Sequence, residues 1–123
     1  MAKHDLNILF IEDSADDAQF MLREIQKSGY IVDSERVETK PTMQAALGRR
    51  AWDVILSDYS MPQFSAMAAL ETLKASGLDI PFIVVSGAIG EETAVAALKA
   101  GAHDFLAKAR LARLVLAIER ELR

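Results

Sequence analysis

The chain has 123 residues, 51% hydrophobic and 26% charged, which suffices for one globular core and is too little for two. A formal net charge of -4 gives no electrostatic footing for nucleic acid as a direct partner, and the lack of cysteine excludes disulfides, thiol catalysis and thiolate metal sites. No apolar signal core precedes the first strand and no segment is long enough to span a membrane, so the expectation is a single cytoplasmic domain over residues 1–123 without a separate output domain. Arg110, Arg113, Arg120 and Arg123 are interleaved with Glu119 and Glu121, which reads as a solvated helix face.

In chain order, residues 6–11 are apolar except Asn7 and form a first strand running into Glu12, Asp13 and Ser14. Ser14 is a helix N-cap, Ala18, Met21, Leu22 and Ile25 recur at helical spacing, and Ser28 with Gly29 stops the helix. Residues 30–37 carry β-branched side chains but are half polar, as an edge strand is. Pro41 suits the first turn of a second helix with Met43, Ala46 and Leu47, after which Gly48 and two arginines lead to Trp52. Val54, Ile55 and Leu56 then form a short continuous apolar run, as in a strand buried on both faces, which ends at Asp58 before the turn enforced by Pro62.

Residues 64–75 read as a third helix, with Met67, Leu70 and Lys74 on successive turns and Ser76 and Gly77 ending it. Pro81 opens the fourth strand, residues 82–86, which ends in the hydroxyl of Ser86. Glu91 and Glu92 start a helix that Gly101 caps after Ala100. Residues 104–107 make a short fifth strand ending at Lys108, and Leu111, Leu114, Val115, Ile118 and Leu122 give the last helix one apolar face.

Alternating strands and helices imply an α/β, flavodoxin-like fold: a five-stranded parallel sheet of order 2-1-3-4-5 with five helices on both faces. Its switch point lies between the first and third strands, beside Glu12, Asp13 and Asp58. Four strands thus deliver Glu12 and Asp13, Asp58, Ser86 and Lys108 to one edge. Three crowded carboxylates call for a cation, and hard oxygen ligands suit Mg²⁺. A divalent ion beside a lysine and a hydroxyl makes a receptacle for a phosphoryl group, with a carboxylate positioned to attack in line. Taken singly, Asp58 is a turn aspartate, Ser86 a loop hydroxyl and Lys108 a solvated charge; their arrival at one edge outweighs that reading. Asp16 and Asp17 read as first-turn acids favoured by the helix dipole, with Asp17 partnering Ser14 in a box-like cap.

Glu12-Asp13, Asp58 with Met61-Pro62, Ser86-Gly87, and Gly101-Ala102 followed by Asp104, Phe105 and Lys108 resemble the receiver domain of two-component response regulators. The resemblance covers residues 6–122. It implies that Asp58 accepts a phosphoryl group from a phosphohistidine on a histidine kinase or histidine phosphotransfer protein. It also implies that Asp13, Asp58 and the carbonyl of Ser60 ligate Mg²⁺, with Glu12 acting mostly through water. Lys108 is then expected to pair with a phosphoryl oxygen, while Ser86 moves toward another and Phe105 rotates. The switch is read on the fourth helix, fifth strand and fifth helix by a protein effector. On this resemblance the chain is a signalling phosphoacceptor that promotes its own phosphorylation and dephosphorylation, not an enzyme that turns over a free substrate. Gly87 leaves the site open to water.

Three positions depart from the family's pattern. Ala109 replaces a proline capable of a cis peptide, Phe105 replaces a common tyrosine, and Ser65 stands where glycine often follows the Met-Pro turn. The alternative reading is a phosphorylation-independent binding module of the same fold, against which the intact set Asp13, Asp58, Ser86 and Lys108 argues. A Mg²⁺-dependent phosphatase would need a general acid and a cap, and His103 falls at the start of the fifth strand, where it cannot serve. A nucleotide or flavin carrier would need a glycine-rich loop where the acids stand. Ala94, Val95 and Leu98, or Leu111, Leu114 and Val115, are candidate homodimer faces; packing on the sheet is the simpler expectation.

Overall fold

The computed structural model describes residues 5–59, 61–87 and 90–122. Five strands and five helices alternate: β1 (Asp5–Ile11), α1 (Ala15–Lys27), β2 (Ile31–Val37), α2 (Lys40–Arg49), β3 (Val54–Asp58), α3 (Ala66–Ser76), β4 (Phe82–Ser86), α4 (Glu91–Ala100), β5 (Asp104–Ala107) and α5 (Leu111–Glu121). All pairings are parallel, in the order β2-β1-β3-β4-β5. The half-polar β2 lies at the sheet edge as its composition requires, and Arg49–Glu35 and Arg50–Asp33 ion pairs cover it with charge.

Period-two alternation divides the apolar strands between two cores. Ile8, Phe10, Val54, Leu56, Ile83 and Val85 face α1 and α5, whose Met21, Ile25, Leu114 and Ile118 are buried against them. Leu9, Ile11, Ile55, Phe82 and Val84 face α2 and α3, which contribute Met43, Leu47, Leu70 and Leu73. Burial on both faces is why the central strands read as unbroken apolar runs. The register of β3 is fixed from outside the ladder as well: the Asp53 carboxylate accepts the Asn7 backbone N–H at 2.7 Å, and the Asn7 carbonyl accepts that of Asp53 at 2.8 Å.

Two helix boundaries and the burial of one helix differ from or sharpen the sequence reading. The third helix begins at Ala66 and not Phe64, because the Ser65 hydroxyl accepts the Ala68 N–H at 3.1 Å and caps it, leaving Phe64 buried in the preceding turn. Ser65 has φ -68, so a residue other than glycine sits there without strain. The second helix continues through Gly48 to Arg49, since the buried Trp52 indole N–H donates to the Ala46 carbonyl at 2.9 Å and satisfies its last turn. In α4 only Ala97 is buried among the described residues; Val95 and Leu98, expected to pack on the sheet, are each 45% exposed. The expectation for α5 holds: Leu114 and Ile118 are buried, and Leu111 and Val115 pack against them.

Gly101 closes α4 at φ +118, and a Cβ there would lie 2.9 Å from Lys74 Cε. Gly101→Ala is expected to cost about 1 to 2 kcal/mol of stability, read from urea unfolding. An unchanged midpoint at unchanged slope would mean that the cap tolerates a side chain.

Candidate functional site

Because every strand runs the same way, the carboxyl ends of β1, β3, β4 and β5 meet at one edge. Glu12 follows β1, Asp58 ends β3, Ser86 ends β4 and Lys108 follows β5, and Glu12, Asp58 and Ser86 are buried. Backbone bonds fix these ends. Glu12 N–H donates to the Val37 carbonyl at 3.0 Å, Lys108 N–H to the Ser86 carbonyl at 2.8 Å, and Arg110 N–H to the Ala107 carbonyl at 3.0 Å. The turn at Ala109 is thus closed by hydrogen bonding without a proline, and the peptides among the described residues are trans. Beyond Asp58 the chain folds back so that Ala66 N–H reaches the Tyr59 carbonyl at 3.2 Å, with Met61 and Phe64 buried beneath.

Glu12, Asp13 and Asp58 each present a carboxylate oxygen, and these atoms lie within 4.8 Å of one another. Asp13 is exposed, so the cluster opens to solvent on its side, next to a small concavity of about 110 Å³ lined by Asp13, Glu38, Met61, Pro62 and Gln63. The Lys108 ammonium stands 2.6 Å from Asp17 Oδ2, 2.8 Å from Glu12 Oε1 and 3.3 Å from Asp58 Oδ1. The contact with Asp17 is a hydrogen bond; that with Glu12 is an ion pair, and Glu12 Oε1 is buried with no hydrogen bond. The other Glu12 oxygen accepts the Ser14 N–H at 3.2 Å.

Burial raises the Glu12 pKa and the Asp58 charge adds to it; the close Lys108 ammonium and the Ser14 hydrogen bond oppose it without cancelling it. Burial alone would lower the Lys108 pKa, but the hydrogen bond to Asp17 and the adjacent Glu12 and Asp58 carboxylates hold it above the ordinary lysine value. Hard oxygen donors, one of them buried without a hydrogen bond, fit a small divalent cation.

The raised Glu12 pKa has a sign that can be tested. An acid whose native pKa is raised contributes its stability below the ordinary glutamate range and loses it as pH rises through the native value. In metal-free buffer, wild type should therefore lose stability relative to Glu12→Gln as pH rises from the ordinary glutamate range through the higher native value. Parallel stability curves for the two proteins would contradict the assigned shift.

Phe105 is half-buried, and its ring meets Tyr59 with centroids 5.8 Å apart and planes tilted 56°. Tyr59 thus links the residue after Asp58 to the expected rotor. Ser60, the expected carbonyl ligand, lies outside the described residues, as do residues 1–4, 88–89 and Arg123. His103 is exposed at the opposite sheet edge, its Nδ1 accepting the Phe82 N–H at 3.0 Å.

Two residues of the site were missed in the sequence reading. Arg36 of β2 donates to the Glu12 carbonyl at 3.1 Å and to Glu38 at 3.0 Å. Asp17 donates its N–H to Ser14 Oγ at 3.1 Å as the cap requires, but its carboxylate turns to Lys108 and does not close a box. A concavity of about 450 Å³ between α2 and α3 lies toward the amino ends of the strands and has no titratable lining residue.

The model of the response regulator receiver domain family matches residues 8–119. The chain belongs to this family. Its relatives include the transcriptional regulatory protein PrrA of Mycobacterium tuberculosis, 31% identical over 117 residues that cover 94% of this chain and 49% of that protein. Among solved structures, the Francisella response regulator 1452 receiver domain matches with TM-score 0.81 at 22% identity, covering 95% of this chain and 96% of that one. The signal receiver domain of a histidine kinase from Syntrophus aciditrophicus matches with TM-score 0.77 at 28% identity, over 95% and 89%. The chain spans between 24% and 49% of the length of such curated relatives as these transcriptional regulators. It is a phosphoacceptor receiver of two-component signal transduction, and among the described residues no helix is long and apolar enough to cross a membrane.

Proposed function

We infer that Asp58 is the acceptor, that this receiver works in the cytoplasm, and that the donor is a phosphohistidine on a histidine kinase or phosphotransfer protein. The observation that carries this is the meeting of Asp58 with Lys108 at 3.3 Å inside the acidic cluster at the switch point. An Asp58 carboxylate oxygen bonds to phosphorus as the phosphorus–nitrogen bond breaks and its electron pair stays on the histidine nitrogen. Lys108 neutralises a phosphoryl oxygen, and Asp58 is already aimed by the end of β3. Asp13, Asp58 and, on the family resemblance, the Ser60 carbonyl would hold a Mg²⁺ ion, with Glu12 acting mostly through water, and the ion when bound would supply charge neutralisation to the transferring group. Water entering past Gly87, which is exposed, returns the receiver to its resting state.

Ser86 then hydrogen-bonds a second phosphoryl oxygen and Phe105 turns against Tyr59. A preference of the phosphoryl group for that packing of about 1 to 3 kcal/mol is enough to shift the populations. The surface that reports it is made by α4, β5 and α5, where Val95, Leu98 and Leu116 stand exposed for a protein effector or a second copy. The test is intact mass after incubation with a small phosphoryl donor, with and without Mg²⁺. One base-labile adduct that requires Mg²⁺ is expected; none with any donor, on folded protein, would leave the phosphorylation-independent binding module.

A further inference from the structure

The Lys108 ammonium has three N–H donors, and three carboxylates already lie within 3.3 Å of it. A phosphoryl oxygen on Asp58 needs a donor from this ammonium and competes for it with the carboxylates that surround it. Glu12 is 1% exposed and Asp58 10%, so neither can be rehydrated in place. Asp17 is 40% exposed and stands on the first turn of α1, where water and the helix dipole both stabilise it once released. It is also the partner that meets the ammonium at the shortest distance, 2.6 Å.

We propose that Asp17 is a positioning residue that competes with the phosphoryl group for Lys108, holding the ammonium toward α1 in the resting receiver and yielding it on phosphorylation. The inference rests on Asp58 being the acceptor. The competition is reciprocal: Asp17 weakens the hold on a phosphoryl group, and a phosphoryl group weakens the join between α1 and the turn after β5. That join spans the wall of a concavity of about 120 Å³ lined by Asp17, Phe20, Met21, Lys108 and Leu111, so phosphorylation is registered on the α1 side of the domain as well.

The test uses beryllofluoride with Mg²⁺ as the phosphoryl mimic on wild type, Asp17→Asn, Asp17→Glu and Asp16→Asn. Asn keeps the backbone N–H that donates to Ser14 Oγ, so the cap of α1 survives. Asp16→Asn removes the same charge from the same turn and controls for the long-range field. Asp17→Asn should bind the mimic about threefold to fivefold tighter, Asp17→Glu should return to the wild-type value, and Asp16→Asn should match wild type. In metal-free buffer the side-chain ammonium resonance of Lys108 should shift in Asp17→Asn and stay in place in Asp16→Asn. Equal affinities for wild type and Asp17→Asn overturn the competition, as does an unmoved Lys108 resonance. Wild type that binds no mimic at all overturns the acceptor assignment first and the competition with it, so the two failures are told apart.

Discussion

The Asp58→Asn protein is expected to take up no phosphoryl adduct, a loss on the order of a hundredfold or more in rate, under conditions where wild type takes up one. Asparagine keeps the shape of the side chain and the pairing of β3, but an amide oxygen lacks the nucleophilic charge of a carboxylate. The neighbouring acids are poor substitutes. Glu12 is held by the Ser14 N–H and the Lys108 ion pair, Asp13 is exposed, and Asp17 is held by its hydrogen bond from Lys108. Stability should stay within about 1 kcal/mol of wild type, since the change is isosteric and leaves the ladder intact. Intact mass read alongside an unfolding curve separates lost chemistry from lost fold, and an adduct of equal yield on the variant would assign the acceptor elsewhere.

The sequence carried the fold because β1, β3 and β4 are buried on both faces, which leaves unbroken apolar runs, and because Ser14, Gly77 and Gly101 punctuate the helices by local chemistry. Strand ends were legible for the same reason: a buried run that stops at Asp58 or Ser86 stops at the sheet edge. What could not be read was the choice of partner. Asp17 lies 91 positions from Lys108, and its local signal, an acid three residues after a capping serine, is that of a helix start. Arg36 reads as an edge-strand charge until β2 pairs with β1 and brings it under the Glu12 carbonyl. Periodicity also overstated α4, where alanine at the buried position leaves Val95 and Leu98 outward.

Lys108→Met should have the largest effect on the resting protein. The methionine fills the volume of the aliphatic stem, but Glu12, Asp17 and Asp58 lose the cation they share. Removing one member of a buried charge cluster leaves the others uncompensated; with the ammonium side chain 20% exposed, the expected loss is about 2 kcal/mol, below the range for fully buried pairs. Asp17 can turn to water, so most of the loss falls on Glu12 and Asp58. A divalent cation bound by Glu12, Asp13 and Asp58 would replace the missing charge, which gives the prediction its second half. The gap in stability between wild type and Lys108→Met should narrow as Mg²⁺ is titrated, because the folded variant, lacking the ammonium that competes for the same carboxylates, binds the ion more tightly than folded wild type does. Urea unfolding at several Mg²⁺ concentrations measures both halves at once. A gap that stays constant with Mg²⁺ would mean that lost packing, not lost charge, accounts for the destabilisation, and that the three acids do not form one electrostatic unit with Lys108.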